Sequence, residues 1–162
     1  MRMRKLVLAS ALACSLGAIQ AGTAMAASVN ACVLSSAQAT SVLGSAASHG
    51  KSVSVPAVHE STCAYLTSSG SAGIDITASP ASGYPTPSLL KMMVPGASLT
   101  TLHGIGVKAE LVKPKTAGTV ELIFAAGKSY YALTFSDGHK KVTSKQISLL
   151  ESVSKAAAKK LG

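Results

Sequence analysis

The chain of 162 residues contains no tryptophan, two phenylalanines, four tyrosines and six acidic side chains. With so few large aromatics, a core has to be assembled from aliphatic side chains of modest size. Asp75, Glu110, Glu121, Asp137 and Glu151 are too dispersed to nominate a carboxylate pair for general acid and base chemistry. Arginine occurs only as Arg2 and Arg4, so every cationic residue beyond position 26 is a lysine. Lysine lacks the planar two-point geometry that phosphates and base edges favour, which argues against a dedicated nucleic-acid site. Beyond position 26 no run of eighteen apolar residues occurs, so that part of the chain reads as having at most peripheral membrane contact.

What the chain does have is an export signal. Arg2, Arg4 and Lys5 form a basic start, Leu6 to Leu16 an apolar run, and Ala24-Met25-Ala26 a small-x-small cleavage site. Residues 1–26 read as a signal peptide and 27–162 as one small domain, periplasmic or secreted. Losing the leader lowers the formal net charge from +9 to about +6. An alternative reading takes Ala11-Leu12-Ala13-Cys14 as a lipoprotein box and anchors the chain at Cys14, but a large aliphatic residue is missing where Ala11 stands. The mature chain keeps Cys32 and Cys63, an even pair that in an oxidising compartment reads as a disulfide. Their spacing is not a C-x-x-C redox arrangement.

Ser35 and Gln38 have capping-box spacing, and Ala39, Val42, Leu43, Ala46 and Ala47 then recur at helical intervals, which predicts a helix over 36–47. Residues 63–67 and 73–77 read as a hairpin that turns Cys63 and Tyr65, and likewise Ile74 and Ile76, toward the core. Residues 79–87 are rich in proline, glycine and serine and read as a long loop. Thr86 then caps a short helix with Pro87 at its first position, whose buried face is expected to hold Leu89, Met92 and Met93. A strand around Glu110-Leu111-Val112 is expected next. Val120, Leu122 and Phe124, then Tyr131, Leu133 and Phe135, alternate on either side of Ala126-Gly127-Lys128 as a hairpin with one buried face. Thr143 and Gln146 open a terminal helix with Ile147, Leu150, Val153, Ala157 and Leu161 inward. Lys145, Lys155, Lys159 and Lys160 fall outward, and Leu149 falls with them. The order predicts an α+β domain: an antiparallel sheet of about four to five strands with the helices packed on one face.

A cysteine before a helix that ends in Leu43-Gly44, a second cysteine two before Tyr65, the turn Gly104-Ile105-Gly106 and a closing helix resemble small exported bacterial domains of unknown function, some carried as lipoproteins. Val107 stands where such domains commonly carry an acidic residue. The resemblance implies a binding or sensing module without established catalysis, and it assigns no functional residue.

His49, His59, His103 and His139 have no compact metal-ligand spacing, so neither metal nor cofactor is expected. Gly104-Ile105-Gly106 lacks the third glycine of a nucleotide fingerprint and reads as a tight turn. Asp137-Gly138-His139 offers an acid and an imidazole without a nucleophile elbow, and Asp137-Gly138 is a common turn pair. The sequence therefore reads as a non-enzymatic module that binds a small ligand or an envelope protein, with Tyr84, Met92 and Met93 as the candidate partner surface. Two alternatives stand beside it: a small hydrolase using His139 or a histidine-metal site, and a polycation that binds anionic envelope components.

Overall fold

The computed structural model describes residues 29–115, 118–138 and 140–162. The expected leader, its cleavage site at Ala26, and Cys14 lie outside the described residues, as does His139. In chain order the elements are α1 (Ser36–Leu43), β1 (Lys51–Val55), β2 (Glu60–Leu66), β3 (Gly73–Pro80), α2 (Pro87–Met93), β4 (Ser98–Leu102), β5 (Lys108–Lys113), β6 (Thr119–Ala126), β7 (Ser129–Ser136) and α3 (Ser144–Leu161). The fold is α+β, and the described strands form one antiparallel sheet in the order β1-β2-β3-β7-β6-β5-β4.

Among the described residues seven strands replace the expected four to five, and the two that alternation did not reveal, β1 and β4, are the two edges of the sheet. An edge strand pairs on one side only and buries little, so its residues need not alternate apolar with polar. β3 is also longer than its apolar run. Its pairing with β7 continues through Ser79 opposite Tyr130 and Pro80 opposite Ser129, and a short 3₁₀ turn follows at Ala81–Gly83. The expected long loop over 79–87 is therefore reduced to Tyr84, Pro85 and Thr86.

The alternating residues of β6 and β7 do what their period demands. Val120, Leu122 and Phe124 pair with Phe135, Leu133 and Tyr131, all of them buried on one face, around a two-residue turn at Gly127-Lys128. Ile74, Ile76, Ala78, Cys63 and Tyr65 extend that face across β3 and β2. α1 and α3 cover it, through Ala39, Val42 and Leu43 and through Leu150, Val153, Ala157 and Ala158. Both helices carry complete capping boxes, Ser35 with Gln38 and Thr143 with Gln146. α1 stops at Leu43, short of Ala47, because Gly44 adopts the left-handed conformation and its N–H returns to the Thr40 carbonyl. Leu149, expected among the lysines, is half-buried against the main core. α2 lies on the other face of the sheet, contrary to the expectation that all helices share one side. Leu90 packs there on Val112 and Ile123, residues of opposite parity to Leu111 and Leu122.

Three successive inward positions of β2 fasten the segment before α1. The Ser61 hydroxyl donates to the Val29 carbonyl, Cys63 is bonded to Cys32 across a Cα–Cα distance of 5.2 Å, and the Tyr65 hydroxyl donates to the Leu34 carbonyl at 2.5 Å. Ala31 and Leu34 are buried between these points. The expected disulfide is present, and it joins the second strand of the chain because β1 precedes it. Burial outweighs the bond to Leu34 and pushes the Tyr65 phenol up.

Candidate functional site

α2 is a seven-residue helix with only Ser88 and Lys91 as polar side chains. Its start is fixed by Pro87, whose missing N–H costs nothing there, and by the Thr86 hydroxyl, which accepts from the Leu89 N–H at 3.2 Å. At 100° per residue, Leu90 and Val94 occupy one side and Leu89, Met92 and Met93 another. The sheet offers one shallow seat, walled by Tyr84, Leu99, Tyr130 and Ala132, and Leu90 fills it to 2 % exposure. Leu89, Met92 and Met93 consequently stand outward, 38 %, 71 % and 65 % exposed. The expectation that these three form the buried face is thus overturned. Both sides of α2 are apolar, so its sequence alone does not say which one the sheet covers.

Tyr84 holds the entry to α2. Its ring meets Tyr130 edge-on at 5.9 Å between centroids, the Lys108 ammonium lies 4.4 Å over it, and its hydroxyl reaches the Ile123 carbonyl at 3.4 Å. Burial, and secondarily the negative charge of Glu110, push its phenol up to about 12. Tyr84 is thus an anchor beneath the ridge, while Met92 and Met93 are its outer surface.

The register places Glu121 on the same sheet face, between Val112 of β5 and Thr134 of β7. Burial holds its carboxyl above the ordinary range, so the fold disfavours the ionised form. For an acid whose folded pKa is raised, stability is fullest below the unfolded value and falls as pH rises through the folded one. Glu121→Gln should therefore melt a few degrees higher than the wild type at pH 7 and at the same temperature near pH 3. Calorimetry at the two pH values checks this. A variant no more stable at neutral pH would mean that burial does not strain the carboxylate.

On the helix-covered side, a cavity of about 210 Å³ opens between the β5–β6 connection and the start of α3. Lys113, Lys115 and Lys141 line it with Thr119, Val120 and Ile147, and no acidic residue is among its described walls. The remaining sequence candidates among the described residues do not converge. His49 Nδ1 is 2.9 Å from the Ser36 hydroxyl, and His59 occupies the left-handed turn after Pro56–Val58. Among the described residues no three His, Cys, Asp or Glu side chains group to hold a metal ion. The Asp137 carboxylate accepts from the Gln146 side-chain amide at 2.8 Å, a contact that braces the start of α3. No helix among the described residues is long and apolar enough to cross a membrane.

Comparison with protein-family models, with characterised proteins and with solved structures found no match. The site stands on its own chemistry. The lysine-lined cavity escaped the sequence reading because Lys113 and Lys115 lie far from Lys141 in the chain and meet only through the sheet. The sequence offers Met92 and Met93 both as a buried stripe and as a candidate partner surface, and their exposure in the fold decides against the buried stripe.

Proposed function

We propose that this protein is an exported, non-enzymatic binding module that presents the outer ridge of α2 to an envelope protein with an apolar groove. The exposure of Met92 and Met93, beside Leu89, carries this reading. Three apolar side chains on one convex turn are a poor use of surface unless something covers them. Methionine is unbranched and polarisable and adapts its shape to a partner. The helix beneath is held by Leu90, the Thr86 cap and Tyr84, so the ridge meets a partner already ordered and loses little entropy on docking. The Cys32–Cys63 disulfide fits an oxidising compartment outside the cytosol.

A second reading, attraction to anionic envelope components, is favoured by the cavity lined by Lys113, Lys115 and Lys141. One experiment separates the two. Capture from the envelope is compared for the wild type, for Met92→Ala with Met93→Ala, and for Lys113, Lys115 and Lys141 all changed to glutamine, each first shown to melt normally. The methionine variant should lose the captured protein by at least about tenfold in affinity, while the glutamine variant keeps it. The opposite pattern, with capture that collapses as salt is raised, would transfer the function to the lysines.

A further inference from the structure

β1 is a strand that contributes to no core. All five of its residues are exposed, and neither buried cluster includes any of them. Ordering a residue's backbone costs roughly 1–2 kcal/mol, which among the described residues β1 recovers only through its pairing with β2. The other edge differs. On β4, Leu99 is packed with the α2 cluster and Leu102 with the main core. On β1, Val53 and Val55 stand 55 % and 44 % exposed along an edge that no other strand among the described residues pairs, with no proline within it. Such an edge accepts another strand unless something blocks it.

We infer that β1 pairs antiparallel with β1 of a second copy of this chain, joining the two sheets edge to edge. Self-complementarity selects this occupant. A two-fold axis perpendicular to the sheet keeps each side chain on its own face, so residues of equal parity must oppose one another. The longest such overlap for Lys51–Val55 sets Val53 against Val53 of the second copy and Lys51 against Val55. Because Val55 pairs with Glu60 on β2, Glu60 of the second copy comes next in line after Val55. Lys51 and that Glu60 are then two strand spacings apart, about 10 Å between Cα atoms, within the joint reach of the two side chains. Within one chain the same two residues sit at opposite ends of the β1–β2 pair, about 13 Å apart along the strand. The dimer thus gains two equivalent ion pairs flanking four valines on the face that α2 leaves open. A contact of five residues per chain is small, which sets the dissociation constant on the order of 10–100 µM.

This pairing is independent of the α2 ridge, which lies toward the β4 edge. Sedimentation velocity of the exported protein over a concentration series should resolve a monomer–dimer equilibrium. Lys51→Glu should weaken it at least tenfold, Glu60→Lys likewise, and the two together should restore it. Register is read separately by trapping. Val53→Cys brings two thiols face to face and should form a covalent dimer in air, whereas Ser54→Cys, opposed by Ser52, should not. Lys51, Val53 and Ser54 lie on β1, outside both cores, so changes there should leave the melting temperature near that of the wild type, whereas Glu60 stands on β2 and accepts from the buried Ser79 hydroxyl, so Val53→Cys tests the pairing even if Glu60→Lys costs stability. A wild type that stays monomeric at about 1 mM, or a Ser54→Cys protein that cross-links as readily as Val53→Cys, would overturn the proposal.

Discussion

Replacing Cys32 and Cys63 together with alanine should lower stability by roughly 3–4 kcal/mol, which for a domain of this size is a fall of about 10 °C in Tm. The bond closes a loop spanning 31 positions, and opening it returns that conformational freedom to the unfolded chain. The native segment 29–34 should nevertheless stay seated. Ser61 and Tyr65 hold its two ends on either side of the cysteine, and Ala31 and Leu34 are buried against the core. The variant is therefore expected to fold at low temperature with its β structure intact and to melt cooperatively. Calorimetry of the oxidised wild type, the double variant and the reduced wild type measures the difference, and the last two should agree. A change below about 1 kcal/mol would mean that the unfolded chain is already compact enough for the bond to remove little freedom from it. If a folded double variant also lost its envelope partner, the cysteines would have a role beyond stability.

Gly106→Ala is expected to be at least as damaging, at about 3–5 kcal/mol. Gly106 has φ 58°, in the left-handed region, and an added Cβ would lie 2.0 Å from the Ala125 carbonyl oxygen. That oxygen also accepts the Val107 N–H at 2.9 Å, the contact that leads β5 into register with β6. Relief of the clash has to move backbone on one of the two strands, and it disturbs the burial of Ile105 in the main core. Gly104 provides the control. It is also left-handed, at φ 75°, but its nearest neighbour is the mobile end of Lys155 at 3.7 Å, so Gly104→Ala carries only the conformational cost of about 1 kcal/mol. Chemical denaturation of the two variants side by side decides the matter, and equal losses would refute the close approach at Gly106.

The turn Gly104-Ile105-Gly106 was legible as a turn, but the reason for its second glycine was not. The sequence registers a need for glycine without saying which backbone approaches it. The same division runs through the molecule. Local chemistry alone determined the capping boxes of α1 and α3, the inward stripe from Ile147 to Leu161, the hairpin of β6 and β7 and the inward pair Cys63 and Tyr65. Each of these elements carries its own period because it buries one face along its whole length. Tertiary structure decided what has no period to display. β1 and β4 exist because a neighbouring strand offers hydrogen bonds, and β3 reaches Pro80 because β7 reaches Ser129. Leu149 is half-buried although its angular position groups it with the lysines, since α3 packs on both the sheet and α1 and so covers a wider arc than one stripe. On α2, two apolar sides of a short helix compete for one seat. Leu90 takes it, with Val94 from the same side of the helix packed beside it, and Met92 and Met93 are left facing outward because a helix can lay only one of its sides on the sheet.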